Sequence, residues 1–333
     1  MDFYFFRSKI DDYALLIYSD LQECANVHFL KADSSGICGI KKFVNRVYFS
    51  PRIYNYIKLP FRHFFYKKIA DKIIYNEKKD VFCLIFSIGW YRHDFILYLR
   101  SLFPKIKLIL SFTDTFDSKK RLIHFLDADQ LKKDFDYIFS YNKDDVKKYG
   151  FTYYPVHYSK HPTYNQITIS ETYDFLYIGA ARDRLDIIED TYKYLKEKGY
   201  KCFFYIFTSK KQKPSSEEGI TFSNKKLSYI EYLRYFKASK CIIEILNRNT
   251  SGNTLRFWEC VFYNKILFTN LPNLENQYLY NSKFMFSLDS IKQIDLKKIL
   301  DINDVDYKYN GEISPKRMLD DIEVMVKKNE NID

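Results

Sequence analysis

No stretch of the 333-residue sequence approaches the ~20 uncharged apolar residues that a helix needs to span a bilayer. The best apolar run, 81–91, is about half that length and ends at Arg92. The first residues, MDFYFFRSKIDD, have acids where a secretory signal peptide needs a basic start and a clean apolar region. These absences predict a protein of the cytosol.

Cysteine is scarce and scattered, with no C-x-x-C pair and no histidine at metal-ligand spacing. Isolated thiols of this kind are typical of the core of a protein in a reducing compartment. We therefore expect free buried thiols, and no disulfides or zinc site built on sulfur. The six residues are Cys24, Cys38, Cys83, Cys202, Cys241 and Cys260.

Length and composition indicate a globular chain with two lobes of about 150 residues each. Hydrophobic residues make up 47% and charged residues 29% of the sequence, which excludes a disordered or fibrous protein. The net charge of +11 is uneven: residues 1–160 hold 27 Lys/Arg against 18 Asp/Glu, and the rest hold 26 against 24. The first lobe is therefore predicted to face something anionic.

Short apolar runs alternate with amphipathic helical patterns, which is typical of parallel α/β layers. Strands are predicted at 81–88, 106–112, 137–141, 151–154, 173–179, 202–208, 241–246 and 266–269. The fold class is therefore α/β, with two doubly wound, Rossmann-like lobes. We predict an N-terminal domain at 1–155, a linker at 156–170, a C-terminal domain at 171–310 and an amphipathic C-terminal helix within 311–333.

Two helices of the second lobe have clear local signals. A helix predicted over 184–198 places Ile188, Tyr192 and Leu195 on one face, and Gly199 ends it. Ser228 with Glu231 three residues later predicts a capping box at the start of a second helix.

Ligands of open α/β sheets bind beyond the carboxyl ends of the strands, near helix N-termini. In the second lobe, Gly179 ends one strand and is followed by Arg182 and Arg184. The small residues in this loop would admit a ligand, and the two guanidiniums could hold a diphosphate.

The longest loop of this lobe, EILNRNTSGNT, begins at Glu244 and leads into a helix. Arg256 and Glu259 lie on one stripe of that helix, in line with Gly252 at its start. Two interpretations stay open: Glu259 accepts the hydroxyls of a ribose while Arg256 meets phosphate, or the two residues form an i,i+3 ion pair on the surface. The candidate caps of this helix are Ser251, Asn253 and Thr254.

The stretch SYIEYLRYFKASKCIIEILNRNTSGNTLRFWECVFYNKILFTN resembles the C-terminal half of bacterial glycosyltransferases with the GT-B architecture. The similarity is to the lipopolysaccharide or capsule biosynthesis group, related to CgeB-like glycosyltransferases. The segments YDFLYIGAARDR and NLENQYLYNSKF match the order of that group, as does LILSFTDTF in the first lobe. The resemblance covers roughly residues 80–290.

This resemblance implies two Rossmann-like lobes with an interdomain cleft, an acceptor-side N-terminal lobe and a nucleotide-sugar-binding C-terminal lobe. It implies that the C-terminal helix packs back on the N-terminal lobe. The implied donor contacts are Gly179, Arg182, Arg184, Glu244, Ser251, Gly252, Asn253, Thr254, Arg256 and Glu259. Retaining enzymes of this architecture often have two glutamates with seven residues between them, and Ser251 stands at the earlier of those positions. Glu244, at the end of its strand, is equally well explained as a residue of the core edge.

Two residues of the first lobe are candidates for the catalytic base that deprotonates an acceptor hydroxyl. Asp114 follows a predicted strand, and its alternative role is to cap the next turn. His93 lies at the end of another strand, and its alternative is a solvated residue at the start of a helix. The linker histidines His157 and His161 carry less weight.

Three D-x-D pairs invite comparison with the metal-binding pair of the other large glycosyltransferase class. Such a pair belongs at a strand end, where none of these falls, so we interpret all three as solvated acids. No metal and no separate cofactor is expected, since helix N-termini and arginine can neutralise a leaving diphosphate. The pairs are Asp127/Asp129, Asp134/Asp136 and Asp304/Asp306.

The stretch Lys41–Lys72 holds nine Lys/Arg residues and one acid, with aromatic residues between them. Such a segment can lie on an anionic membrane surface, or it can be a helix pair with core aromatics and a solvated basic face. Nucleic acid would be drawn to it as well, but no nucleic-acid-binding module is present.

The sequence thus predicts a metal-independent, hexosyltransferase-like GT-B enzyme. It would move a sugar from a nucleotide-sugar donor to a lipopolysaccharide or capsule glycan carried on a polyprenyl diphosphate, in the cytoplasm at the inner face of the cell membrane. The alternatives are a catalytically inactive nucleotide-sugar-binding protein of the same pathway and a nucleic-acid-binding protein.

Overall fold

The protein is described by a computed structural model in which the chain forms two compact units. Unit 1 comprises Met1–Ser159 and Ile313–Asp333, and unit 2 comprises Lys160–Glu312. The structure describes residues 1–7, 18–31, 62–73, 82–88, 91–123, 125–208, 215–247 and 252–330.

Unit 1 contains a parallel sheet of six strands in the order β2-β1-β3-β4-β5-β6. The strands are β1 (Asp2–Arg7), β2 (Val27–Lys31), β3 (Phe82–Ser87), β4 (Lys107–Phe112), β5 (Tyr137–Ser140) and β6 (Thr152–Tyr153). The helices described in this unit are α1 (Arg62–Ala70), α2 (His93–Leu102), α3 (Phe116–Leu122), α4 (Ala128–Asp134) and α5 (Lys143–Tyr149). The C-terminal helix α10 (Pro315–Glu330) also belongs to it.

The sheet of unit 1 is covered on both faces, which explains why its central strands are apolar at nearly every position. In β1, Tyr4 and Phe6 enter a core cluster with Phe95 of α2. Phe3 and Phe5 point to the other face, into a second cluster. That cluster is completed by apolar residues of α10: Met318, Leu319, Ile322 and Val326.

Unit 2 contains a sheet of seven strands in the order β13-β12-β11-β7-β8-β10-β9, parallel except for β9 against β10. The strands are β7 (Tyr173–Ala180), β8 (Cys202–Phe207), β9 (Ser215–Glu217), β10 (Ile220–Ser223), β11 (Ser239–Glu244), β12 (Ile266–Thr269) and β13 (Met285–Ser287). The helices are α6 (Leu185–Glu197), α7 (Tyr229–Ala238), α8 (Leu255–Phe262) and α9 (Leu296–Leu300).

The strand order of unit 2 is the Rossmann order. The chain starts in the middle of the sheet at β7, adds β8 and β10 on one side, and returns to add β11, β12 and β13 on the other. The direction of winding therefore reverses between β7 and β11, which are hydrogen-bonded neighbours. In open sheets wound this way, the loops at the carboxyl ends of the two strands diverge at the switch point, and the crevice between them is the expected ligand site.

The local signals of α6 and α7 are confirmed. Ile188, Tyr192 and Leu195 are buried, and Gly199 follows the helix with φ of 81°, a conformation that glycine adopts without strain. The Ser228 hydroxyl accepts from the backbone N–H of Glu231, whose carboxylate accepts from the backbone N–H of Ser228, so the capping box is complete.

Five strands were not predicted: two in the first 31 residues and three at the edges of the sheet of unit 2. They are β1, β2, β9, β10 and β13. The first part of the basic stretch, residues 41–61, lies outside the described residues. Its last part forms α1, where Tyr66 and Ile69 are buried and Arg62 pairs with Asp94 at 3.2 Å. Among the described residues, no helix combines the length and apolar character needed to cross a membrane.

The prediction of free thiols is confirmed for the five cysteines that the structure describes. Cys83, Cys202, Cys241 and Cys260 are buried, Cys24 is partly exposed, and none of the five forms a disulfide. Burial raises the pKa of the Cys202 thiol to about 12, so this side chain is an inert part of the core.

Candidate functional site

The crevice at the switch point of unit 2 is bordered by the loops that follow β7 and β11. The first loop contains Arg182 and Arg184, and the second leads into α8. Within the second loop, residues 248–251 lie outside the described part of the chain, and so does the candidate Ser251. The structure brings the remaining donor-site candidates together at this edge of the sheet.

Gly179 is required by the packing of a buried tyrosine. A Cβ atom at position 179 would lie 2.7 Å from the Tyr177 hydroxyl oxygen, closer than van der Waals contact allows. Tyr177 is 1% exposed, and burial raises the pKa of its phenol. The glycine therefore admits the Tyr177 side chain beneath the crevice, and this need is separate from any close approach of a ligand.

Arg184 joins the two sides of the crevice. Its Nε donates to the carbonyl oxygen of Ala180 at 3.1 Å, and its guanidinium also donates to the carbonyl oxygen of Ile245 beyond β11. A guanidinium has several N–H donors, so donors remain for a ligand. Arg182 is exposed, with a left-handed backbone at φ of 45°.

Arg256, in the first turn of α8, is a half-buried cation close to Arg184. Its guanidinium lies over the Tyr232 ring, 5.5 Å from the centroid. Its Nε is inaccessible to solvent and has no hydrogen-bond partner in the described part of the chain. Burial lowers the pKa of Arg184, and the positive charge of Arg256 lowers it further. Guanidiniums have the donor geometry that carboxylates and phosphates accept, and the Arg256 Nε is a buried donor of this kind.

Glu259 is buried, so it does not lie on the surface as the ion-pair interpretation expected. The carboxylate is 2% exposed. It accepts from the hydroxyl of Tyr229 at 2.9 Å and from the hydroxyl of Tyr232. Both tyrosines belong to α7, so Glu259 joins α8 to the neighbouring helix.

Glu244 and Thr254 are hydrogen-bonded to each other. Glu244 is 3% exposed, and it accepts from the hydroxyls of Thr254 and Thr269. Thr254 is the N-cap of α8, and its side-chain oxygen accepts from the backbone N–H of Arg256 at 3.2 Å. Of the three candidate caps, Thr254 therefore fills the role. Asn253 and Gly252 are buried, and the Asn253 amide oxygen has no partner in the described residues.

The linker is tied to the end of α8 by an aromatic contact. Tyr164 stacks on Tyr263 with 3.9 Å between ring centroids, and the Tyr263 hydroxyl accepts from the backbone N–H of His161 at 2.8 Å. The Nδ1 of His161 accepts from the backbone N–H of Thr163 at 3.1 Å, which places the ring proton of the neutral imidazole on Nε2. Burial lowers the pKa of His161.

In unit 1, Asp114 lies in the loop between β4 and α3. Its carboxylate is 52% exposed and pairs with Lys119 at 2.6 Å. Thr115, not Asp114, caps α3. The buried Asp145 anchors the end of this loop, because its carboxylate accepts a hydrogen bond from the backbone N–H of Phe116 at 2.9 Å. Asp114 is thus an accessible carboxylate on a braced loop.

His93 begins α2 and contacts a buried carboxylate. Its Nδ1 lies 2.8 Å from an oxygen of Asp134, which is 3% exposed and also accepts from the Tyr91 hydroxyl at 2.7 Å. The interpretation of Asp134 as a solvated acid is therefore wrong. Tyr91 and His93 lie 43 and 41 residues away from Asp134 in sequence, so spacing alone did not indicate these two contacts.

The other D-x-D acids are exposed at the surface. Asp127 caps α4 by accepting from the backbone N–H of Gln130 at 2.8 Å, and Asp136 accepts from the backbone N–H of Leu108. Asp306 pairs with Lys308, and Asp129 with Lys132. In the described ranges, no group of three or more His, Cys, Asp or Glu side chains is placed to hold a metal ion.

Sequence reasoning missed the hydroxyl groups that organise this site. Tyr229 and Tyr232 stand three residues apart just after the capping box, a spacing that directs both rings to one face of α7. That spacing was a usable signal. No comparable sequence signal indicated the hydrogen bond between Glu244 and Thr269, because the two residues come together only through the pairing of β11 with β12.

Comparison with known proteins identifies the architecture. A trehalose-6-phosphate synthase, OtsA, is similar with a TM-score of 0.53 and 10% sequence identity, over 90% of this chain and 93% of that chain. A Listeria monocytogenes protein assigned as a UDP-N-acetylglucosamine 2-epimerase gives a TM-score of 0.51 and 10% identity, over 98% of this chain and 97% of that chain. The chain has the GT-B architecture.

No protein-family model matches the chain, and no curated protein sequence matches it. The two GT-B relatives are named for different reactions, one a synthase and the other an epimerase. The fold is therefore established, and the reaction must be argued from the residues of the site.

Proposed function

We propose that the protein is a glycosyltransferase whose nucleotide-sugar donor binds at the switch point of unit 2. The observation that carries this proposal is the pair of guanidiniums, Arg184 and Arg256, in the crevice between β7 and β11. Arg256 has a buried Nε without a partner in the described part of the chain. A diphosphate would accept hydrogen bonds from both side chains and offset their mutual repulsion.

The N-terminus of α8 adds a partial positive charge to that of the two arginines. The N-terminus of a helix carries a partial positive charge and unpaired backbone N–H groups, which favour a phosphate. With two arginines beside it, the protein itself supplies cations to a leaving diphosphate, and we propose transfer without a divalent metal. The GT-B relatives that share the fold are named for trehalose-6-phosphate synthesis and for UDP-N-acetylglucosamine epimerisation.

Glu259 is our candidate for the ribose contact. Its oxygens accept from the hydroxyls of Tyr229 and Tyr232, but a carboxylate oxygen has more than one lone pair. The two ring hydroxyls of a ribose can donate to the remaining lone pairs. The tyrosines then hold the carboxylate in one orientation before the donor arrives.

The acceptor half of the reaction is assigned to unit 1. We propose Asp114 as the base that removes a proton from the acceptor hydroxyl, because its carboxylate is accessible on a braced loop. His93 is the second candidate. The acceptor is a lipopolysaccharide or capsule glycan on a polyprenyl diphosphate, and the protein works in the cytoplasm at the inner membrane surface through Lys41–Lys72. The nine basic residues of that stretch support the last point.

A thermal-shift panel of UDP-, GDP-, TDP- and CMP-sugars tests the donor site. A ligand at 100 times its dissociation constant stabilises the folded protein by about 2.7 kcal/mol, which is several degrees for a chain of this size. We expect one nucleotide class to raise the melting temperature of the wild type and of E231Q, whose change lies in the exposed capping box. E259Q should lose most of that rise.

Other outcomes identify the alternatives. Binding without any turnover would identify an inactive nucleotide-sugar-binding protein, and conversion of the sugar nucleotide without an acceptor would identify an epimerase. Indifference to every sugar nucleotide, with steeply salt-dependent binding to DNA or RNA, would identify a nucleic-acid-binding protein.

A further inference from the structure

A buried carboxylate joins three elements at the edge of the crevice. Glu244, at the end of β11, is 3% exposed. The hydroxyl of Thr254 at the start of α8 donates to its Oε1, and the hydroxyl of Thr269 at the end of β12 donates to its Oε2 at 2.7 Å. One side chain thus links two strand ends and a helix start.

The direction of these hydrogen bonds limits what Thr254 can do. A carboxylate only accepts, so the hydroxyl hydrogen of Thr254 points at Glu244. Its oxygen meanwhile accepts from the backbone N–H of Arg256 at 3.2 Å. With its only hydrogen engaged, the Thr254 side chain has no donor to offer a phosphate. The Glu244 side chain likewise has no donor to offer a phosphate, because its carboxylate is negatively charged and only accepts hydrogen bonds.

The surrounding contacts make this link rigid. Glu244 and Thr269 are paired across β11 and β12. The Thr269 side-chain oxygen also accepts from the backbone N–H of Leu271 at 3.0 Å. A second connection joins the same strand ends, because the backbone N–H of Leu246 donates to the side chain of Asn270 at 2.7 Å.

We propose that Glu244 is a positioning residue that acts through Thr254. By holding the N-cap hydroxyl in one orientation, it fixes the first turn of α8, and with it the backbone N–H groups and the Arg256 guanidinium that meet the anionic part of the donor. Neither Glu244 nor Thr254 touches the donor through its side chain. This inference rests on the proposed function for its consequence, but the effect on α8 is measurable without any ligand.

The test compares variants that break the link with variants that keep it. T254V and E244A remove one partner each, and T254S keeps the hydroxyl. E244M, which removes both acceptor oxygens but keeps most of the side-chain volume, serves if E244A fails to fold. The matched control is T191V, which removes a buried hydroxyl that donates to the Ile187 carbonyl oxygen in α6 of the same unit. Two quantities are measured: amide hydrogen exchange over residues 255–258, and the dissociation constants of UDP and GDP by calorimetry.

We expect T254V and E244A (or E244M) to speed exchange in the first turn of α8 about fivefold and to weaken nucleotide binding by a similar factor, the size of a typical N-cap effect. T254S and T191V should match the wild type in both. The double variant E244A/T254V should be no weaker than the weaker single variant, because the two residues act as one unit.

Unchanged exchange in T254V and E244A would overturn the proposal. So would additive losses of affinity in the double variant, since these would mean that each side chain contacts the nucleotide by itself. If the wild type binds neither UDP nor GDP, the proposed function is what fails for these nucleotides, and the exchange data alone then decide whether Glu244 positions α8.

Discussion

The guanidinium of Arg184 donates a hydrogen bond to the backbone carbonyl oxygen of Ile245. Arg184 follows β7 and Ile245 follows β11, so this bond crosses the switch point of the Rossmann sheet. A second bond, from Nε to the carbonyl oxygen of Ala180, holds the guanidinium in place. A single side chain therefore connects the two loops between which we place the donor.

Removal of Arg184 should weaken the fold of unit 2 as well as donor binding. R184A leaves two carbonyl groups without their donor, and hydrogen bonds of this charged kind contribute about 1.5–3 kcal/mol each. We expect the free energy of unfolding to fall by at least about 3 kcal/mol in urea denaturation, which is the sum of the lower values for the two bonds. R182A is the control, because Arg182 is exposed in the same loop and should change stability by less than about 0.5 kcal/mol. Equal losses in both variants would contradict the assigned role of Arg184.

The two tyrosines that bind Glu259 should contribute to stability through their hydroxyls. Y229F and Y232F each remove one hydrogen bond to the buried Glu259 carboxylate, at a cost of about 1–3 kcal/mol. We expect the larger loss from Y232F, because Tyr232 is the more deeply buried of the two. Y235F is the matched control: Tyr235 lies on the same helix and stacks on Phe203 with 3.8 Å between ring centroids. Denaturation midpoints that do not separate Y232F from Y235F would contradict this account.

His161 should make the stability of unit 2 depend on pH. Burial lowers its pKa in the folded state, so between the folded pKa and the ordinary value near 6.5 the unfolded chain binds more protons. The contribution is present above about pH 6.5 and is lost as pH falls through the folded pKa. We expect H161N, whose amide oxygen can replace Nδ1 as the acceptor from Thr163, to lose less stability than the wild type between pH 7 and pH 5.

The comparison is made by urea denaturation at each pH, and the difference between the two proteins isolates the histidine from the other titrating groups. If the free energy of unfolding changes with pH equally in the wild type and H161N, His161 is protonated as easily in the folded as in the unfolded state, which would contradict this prediction.

Gly179 and Tyr177 should show a non-additive pair of substitutions. G179A places a Cβ 2.7 Å from the Tyr177 hydroxyl oxygen and should destabilise unit 2 by about 1–3 kcal/mol, as overpacking does. Y177F removes that oxygen, so the double variant G179A/Y177F should be more stable than the sum of the single changes predicts. The rescue is partial, because the ring carbon that bears the hydroxyl would still lie at 3.0 Å. Additive losses would mean that Gly179 is needed for another reason.

Much of the fold could be predicted from the sequence because its signals are local. The helix α6 shows its buried face at Ile188, Tyr192 and Leu195, and α7 shows its capping box at Ser228 and Glu231. The strands of both sheets appear as short apolar runs because each sheet is covered on both faces. The strand β1, which reads DFYFFR, was not predicted, because no helical pattern after it marked it as part of a strand–helix alternation.

The position of the candidate residues in the sheet could be predicted from the sequence, but the partners of their side chains could not. The rule for strand ends selected the loops after β7 and β11, which contain Arg184 and lead from Glu244 into the helix of Glu259. Their contacts depend on residues that only the fold brings close: Ile245 for Arg184, Thr269 for Glu244, and the tyrosines of α7 for Glu259. The same reason explains the wrong interpretation of Asp134, whose partner His93 lies 41 residues away.

The most direct test of the central claim is release of nucleoside diphosphate from the sugar nucleotide that the thermal-shift panel selects. The purified protein is incubated with that donor, with and without membrane vesicles that carry lipid-linked glycans. R256Q is assayed in parallel, and a reaction without protein sets the background. The account predicts release that requires the vesicles and falls to background in R256Q. Release no faster than in R256Q, or equally fast without the vesicles, would contradict a glycosyltransferase that uses this crevice.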